Sequence, residues 1–402
     1  MVSDRIFDGL KVIDCASFIA GPAAATVMSD FGAEVIKVEP PGMGDPYRRR
    51  AVPNPESPLN PGFFFDARNK KSLALDLRQE AGRAVLYRLV KSADVFITNY
   101  PPPVRKRLKI TYDDLEHLNE RLIYASFTGY GESGPEADKP GFDATAWWAR
   151  TGLMDLVRSG EATTPARSLP GMGDHPSAMG TYGAIVTALY QREKTGKGSY
   201  VGSSLLANGL WANACLVQAA LCGDNVQVQP PREAALSALR VHYQCRDGRW
   251  LLLSIAADEW RWEKFKTCFD HGGVLDDERF ATDPLRNRHA TELVAILDRL
   301  FAAHDLAHWR KTLDDAGLIF GIVGQVDDIR HDEQVLAAGF LRAYADEPDL
   351  MTIDSPFFIR GHEKVPPRAA ARTPGQHSDE VLRQYGYGAD EIAALREAKV
   401  VA

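Results

Sequence analysis

The chain has 402 residues, 45% apolar and 25% charged, enough for two domains or for one domain with a large insertion. Its net charge of −7 excludes a broad basic face for nucleic acid or an anionic membrane, so any cationic site is local, as around Arg48, Arg49 and Arg50. Stretches such as 209–221 are too short to span a bilayer, and five scattered cysteines with no zinc spacing and no secretory leader point to a reducing cytoplasm.

Strand and helix signals alternate from the start. Residues 10–14 read as a strand, 22–31 as a helix and 34–39 as a strand, which is a βαβ unit. Between 40 and 61 the chain is rich in proline, glycine and arginine and reads as a surface excursion. Alternation resumes with a strand at 72–76, a helix at 79–92, a strand at 94–98, helical turns at 112–118 and a strand at 122–126. The expected fold class is α/β, an open and mostly parallel sheet with helices on both faces.

Residues 171–180, Gly171-Met-Gly-Asp-His-Pro-Ser-Ala-Met-Gly180, place Asp174 just ahead of an apolar helical pattern that ends at Gly196. Free backbone N–H groups and the positive end of the helix dipole favour a carboxylate there and would stabilise an oxyanion formed by its attack on a carbonyl. The same position suits an ordinary N-cap, and the residues alone leave both readings open. A composition break at 223–233 precedes strand patterns at 241–245 and 250–256, joined by an Asp247-Gly248 hairpin turn, and helices at 259–269, 292–303 and 307–316. The expected division is a large unit over 1–222, a small α+β unit over 223–330 and a tail of short elements over 331–402.

Other signals carry less. The segment from Asp14 to Gly21, with Glu39 closing the second strand, imitates a dinucleotide site but lacks its spaced glycines. Asn99-Tyr-Pro-Pro-Pro103 ahead of Arg105, Lys106 and Arg107 suits either a rigid phosphate grip or a solvated basic turn. His175 reads as loop structure, because sequence neighbours seldom orient towards each other. Trp147 and Trp148 suit either an acyl pocket or the core. No serine sits in a nucleophile elbow and no histidine pair has metal-ligand spacing, so no metal is expected.

Several motifs in order resemble the family III coenzyme A transferases, the CaiB/BaiF family: Asp8-Gly-Leu-Lys-Val-Ile-Asp14, Ala20-Gly-Pro22, Phe31-Gly-Ala-Glu-Val-Ile-Lys-Val-Glu39 with Gly44-Asp45, and Asn69-Lys-Lys-Ser72. Further matches are Asn99, Gly129-Tyr-Gly131 with Ser133-Gly-Pro135, Gly173-Asp174, Lys194-Thr-Gly-Lys-Gly198, Ala316-Gly317 and Gly375-Gln-His-Ser-Asp-Glu-Val-Leu382. The resemblance implies a Rossmann-like large domain built from both ends of the chain, a small middle domain and an interlocked homodimer. It implies Asp174 as the catalytic nucleophile and coenzyme A or acyl-CoA as substrate rather than as a tightly bound cofactor, with a carboxylic acid as the second substrate.

By the same resemblance CoA contacts fall at Phe18, Ile19, Ala20, Leu75, Arg78, Asn99, Tyr100, Arg107, Thr128, Gly129 and Tyr130, with Arg107 the first choice for phosphate. Pro40 stands where relatives use an arginine, which directs attention to Arg48–Arg50. No glycine-rich lid lies between 225 and 260, which speaks against oxalate as acceptor. An α-methylacyl-CoA racemase shares these motifs but needs a histidine where Phe142 stands in Gly141-Phe142-Asp143, and a non-catalytic CoA-binding protein would not need Asp174. Succinyl-CoA is the favoured donor, with a larger branched, aromatic or unsaturated acid as acceptor.

Overall fold

The computed structural model describes residues 5–49, 60–256, 258–270 and 272–402. Its central element is a six-stranded parallel sheet of β1 (Lys11–Asp14), β2 (Glu34–Glu39), β3 (Lys70–Ala74), β4 (Val95–Thr98), β5 (Ile123–Thr128) and β6 (Ser199–Ser204), in the order β3-β2-β1-β4-β5-β6. This is the doubly wound Rossmann order, with the chain reversing direction across the sheet between β1 and β4. β1, β4 and β5 are buried almost throughout, as a sheet covered on both faces requires, with the Asp14 carboxylate at the end of β1 met by Lys70 at 2.8 Å.

Helix α1 (Ala20–Asp30) is buried along its whole length, and its small side chains let it lie against the long helix Asp174–Thr195, where Ala23, Ala24 and Ala178 meet. Helix α2 (Pro61–Ala67) opens with Pro61 in its first turn and Asn60 as its cap, accepting from the N–H groups of Gly62 and Phe63. Helices α3 (Glu80–Val90) and α4 (Pro102–Leu108) follow β3 and β4. The prolines expected to stiffen a loop instead start α4.

The chain divides into two compact units: residues 1–154, 167–224 and 336–402, and residues 155–166 with 225–335. The segment 155–166 groups with the second unit, unlike the sequence reading, which gave it to the large one. The C-terminal helices Ser378–Gln384 and Ala389–Glu397 bury Val381, Leu382 and Ile392 in the same core as Leu73, Leu75 and Leu86. Near the end of the chain Val401 bridges to Leu75, and a hairpin of β10 (Leu341–Ala343) and β11 (Met351–Ile353) precedes these helices.

In the second unit β7 (His242–Gln244), β8 (Trp250–Leu253) and β9 (Phe320–Ile322) form an antiparallel sheet. Gly248 makes the β7–β8 turn at φ +78°. The helices Ala290–Phe301 and Leu306–Asp315 share a core with Tyr243, Trp262, Phe265 and Trp309. Among the described residues no helix is long and apolar enough to cross a membrane.

Candidate active site

The crevice at the carboxyl ends of β1 and β4 is where this strand order opens a ligand site. A cavity of about 210 Å³ lies there, and its wall brings together Phe18, Ile19 and Ala20 after β1, Asn99 and Tyr100 after β4, Thr128 and Gly129 at the end of β5, and Asp174. The remaining candidate residues lie off this wall. Leu75 is buried in the core, Arg78 projects outward against Asp76 at 2.8 Å, Arg107 is exposed in the last turn of α4, and Tyr130 packs beside the tryptophan cluster.

Asp174 is the first residue of its helix, half-buried, with Gly173 as the N-cap and no side-chain cap. A Cβ at Gly173 would come within 2.6 Å of the Trp147 ring, so only glycine lets the helix start this close to the indole. Trp147 and Trp148 stack at 6.0 Å in a buried cluster with Phe127 and Leu205, behind the wall rather than on it.

The loop carrying Phe18 is held under strain. Phe18 has φ +62°, a conformation costly for a side chain of this size. The Asn99 amide brackets the preceding residue, accepting from Ser17 N–H at 2.8 Å and donating to Ser17 C=O at 2.7 Å. Phe18 N–H donates to Asp45, whose other oxygen meets Lys37 at 2.8 Å. Burial opposes the charge on Lys37, but Asp14, Asp45 and Glu39 hold its ammonium well above the usual range.

Across the cavity, Gly129 lies so close to Gly141 that a Cβ would stand 3.0 Å from the Gly141 Cα. This contact brings Lys139, Phe142 and Asp143 onto the wall, and the Phe142 ring meets Phe18 edge-on at 5.7 Å. Asp143 accepts from Ala144 N–H at 2.7 Å, while its Oδ2 is buried with no hydrogen-bond partner. Lys139 had no signal in the sequence, because its place depends on a contact between two distant glycines.

The basic candidates separate. Arg105 turns inward and donates to the Tyr100 and Phe127 carbonyls and to Ser126. Arg48 is clamped on Glu39 through two hydrogen bonds and reaches the Ala371 carbonyl, so it is not available for phosphate. Arg49 is exposed and Arg50 lies outside the described residues. Among the described residues no group of three or more acidic, histidine or cysteine side chains is placed to hold a metal ion.

Comparison with known proteins agrees with this architecture. The sequence model of CoA-transferase family III matches residues 7–378. The chain belongs to that family. It is 32% identical to the (R)-2-hydroxy-4-methylpentanoate CoA-transferase of Clostridioides difficile, over 98% of this chain and 99% of that protein. It is also 32% identical to the succinyl-CoA:glutarate CoA-transferase of Mus musculus, over 97% of this chain and 89% of that one. A crystal structure of a CaiB/BaiF family protein from Brucella suis aligns with a TM-score of 0.85 at 26% identity, covering 95% of this chain and 99% of that one. The protein is a family III CoA-transferase with a Rossmann-like α/β fold, an enzyme whose substrates are CoA thioesters and acids.

Proposed function

We propose that the enzyme moves coenzyme A from an acyl-CoA to a free monocarboxylic acid with an apolar side chain, using Asp174 as nucleophile. The observation that carries this reading is the place of Asp174, at the first turn of a helix and on the wall of the switch-point cavity. Its carboxylate oxygen attacks the thioester carbonyl and the C–S bond breaks, giving an anhydride and the CoA thiolate. The thiolate attacks the aspartyl carbonyl, releasing the donor acid as its carboxylate and leaving an aspartyl-CoA thioester. The acceptor carboxylate displaces the thiolate to form a second anhydride, and the thiolate then takes the acceptor's acyl group, which restores Asp174. No proton is gained or lost over the cycle.

The wall supports the substrate class. Phe18, Tyr100, Phe127, Phe142 and Leu205 line it, and its basic side chain, Lys139, is paired with Glu136 at 2.6 Å, while Asp143 and Asp174 are its acidic groups. A second carboxylate on the acid would face two acidic groups and a cation already paired with Glu136, which disfavours dicarboxylates. Phe142 offers no acid or base to an α-proton, which supports transfer over racemisation. Arg107, exposed on α4, is the candidate for a CoA phosphate, and Arg107→Ala is expected to raise the KM for acyl-CoA about tenfold with kcat little changed.

The test is to mix the enzyme with succinyl-CoA or an apolar acyl-CoA and a panel of mono- and dicarboxylic acids, then trap the aspartyl thioester with hydroxylamine and read intact mass. Transfer to apolar monocarboxylic acids with the adduct at Asp174 is expected, and Asp174→Asn is expected to abolish both. Efficient transfer to dicarboxylates, or exchange of an α-proton without transfer, would overturn the reading. A homodimer is part of the proposal, supported by the exposed Trp211, Leu216 and Leu221 on consecutive helices. Sedimentation at micromolar concentration tests it, and a monomer would count against it.

A further inference from the structure

His175 directly follows the proposed nucleophile, and its ring is held from several sides. Nε2 lies 3.1 Å from Oδ1 of Asp66 in the last turn of α2. The Phe65 ring meets it edge-on at 5.3 Å. Gly171, at φ +76°, lies so close that a Cβ there would stand 3.0 Å from Cε1 and Nδ1 of the imidazole and 3.6 Å from Ile19 on the cavity wall. The imidazole is fixed in place although its side chain keeps 41% of its exposure.

Asp66 is the unusual half of the pair. Its side chain is 2% exposed, and its Oδ2 is buried with no hydrogen-bond partner. The cations around it are committed elsewhere: Arg68 grips Asp30 through two hydrogen bonds, and Lys70 donates to Asp14 and to the Pro22 carbonyl. A buried carboxylate costs several kcal/mol to keep ionised unless an opposite charge meets it. The side chain that meets Asp66 is His175.

Burial pushes the Asp66 carboxyl above the ordinary carboxylate range. Burial also works against charge on His175, but the hydrogen bond to Asp66 and the nearby Asp174 outweigh it and hold the imidazole above its usual value. The charged groups acting on the ring are thus Asp66 from α2, in contact with it, and Asp174, its neighbour in the chain, through space. Ile19, just ahead of α1, and the glycine of the 171 turn are uncharged.

We propose that Asp66 and His175 are positioning residues for the transfer: Asp66 holds the imidazole as a cation against the first turn of the catalytic helix, and that charge steadies the Asp174 carboxylate facing the cavity. The proposal rests on the reading of Asp174 as nucleophile. Over the cycle Asp174 alternates between a carboxylate and neutral acyl forms while a second carboxylate enters or leaves. A fixed cation beside it favours the states in which a carboxylate stands in the site, with no solvent reorganisation at the moment of reaction.

The test compares wild type with His175→Gln, Asp66→Asn, the double variant and Asp174→Asn. Because the imidazolium is present below the raised His175 pKa and lost above it, wild-type kcat is expected to fall as pH rises through that value. His175→Gln is expected to remove this alkaline limb and lower kcat about tenfold, with the KM for acyl-CoA within about twofold. In Asp66→Asn the limb is expected at lower pH, and NMR titration of the His175 ring, which needs no turnover, reads the same displacement directly.

The double variant can keep a neutral hydrogen bond between Gln and Asn, so it should recover the unfolding midpoint while kcat stays low. Recovery of kcat in the double variant would show that the pair only staples α2 to the catalytic helix, and would overturn the proposal. An undisplaced His175 titration in Asp66→Asn, or a limb that persists in His175→Gln, would overturn it while the nucleophile reading stands. Normal transfer by Asp174→Asn would overturn that reading and this proposal with it.

Discussion

Asn99 spends both ends of its amide on Ser17, and so governs the residue that follows. Removing the bracket in Asn99→Ala takes away two hydrogen bonds, each worth about 1 kcal/mol, and releases Phe18 from its left-handed conformation. The relieved strain, about 1–3 kcal/mol, offsets much of that loss, so the expected result is a stability change within about 1 kcal/mol in urea unfolding but a raised KM for acyl-CoA, because the Phe18 edge of the cavity is no longer set. Asn99→Asp, which keeps the acceptor for Ser17 N–H and loses the donor, should fall between the two. At this scale the sequence reading pointed to Asn99 as a CoA contact, and its bond to Ser17 was out of sight because the two lie far apart in the chain. Arg105 shows the same limit: a run of basic residues does not say which one turns inward onto β5.

Among the elements, the entry to the helix that carries Asp174 leaves little room for change. Gly173→Ala would put a methyl group within 2.6 Å of the Trp147 ring. Overpacking of this kind costs about 1–3 kcal/mol, and the indole lies in a stacked, buried cluster, so the helix start must give way instead. The expected outcome is a kcat loss larger than the stability loss, checked by steady-state kinetics alongside tryptophan emission. The strands buried on both faces were legible as apolar runs. β6 was not, because Ser199-Tyr-Val-Gly-Ser-Ser204 is a polar edge strand with alternate residues exposed. The loop with Lys139 carried no periodic signal, whereas the long helix was legible from its apolar spacing and from Gly196, which ends it at φ +72°.

For the molecule as a whole, buried charge sets the response to acid. Burial alone would raise Asp14 and Glu39, but Lys37 and Lys70 hold Asp14 low, and Arg48, Lys37 and Ser72 hold Glu39 low. Such groups contribute stability above the ordinary carboxylate pKa, near 4, and lose it as pH falls through their depressed values. Asp66, shifted upward, acts in the opposite direction. The unfolding midpoint is therefore expected to be flat from about pH 7 to 5 and to drop below about pH 4, with a shallower drop from a lower plateau in Glu39→Gln, as calorimetry across that range would record.

The C-terminal segment matters as much. Val381, Leu382, Ile392, Val400 and Val401 are each at most 4% exposed in the core against β3 and α3. At about 1.5–3 kcal/mol apiece their burial is comparable to the stability of an entire domain. Truncation before Gly375 is expected to abolish cooperative unfolding of the large unit, and a truncated chain that melts sharply would contradict this.

That arrangement also orders events during synthesis. Ser72 N–H donates to the His377 ring, a partner 305 residues further along, and Gly375 N–H returns to the Ser72 hydroxyl. Strands β1 to β5 therefore emerge from the ribosome long before the helices that cover one side of them, and they wait with a greasy face uncovered. Contacts of such separation are slow to close. Throughout that interval the nascent sheet is a client for whatever shields apolar surface in its host, so the yield of active enzyme should depend on elongation rate and chaperone supply more than on the stability of the finished fold.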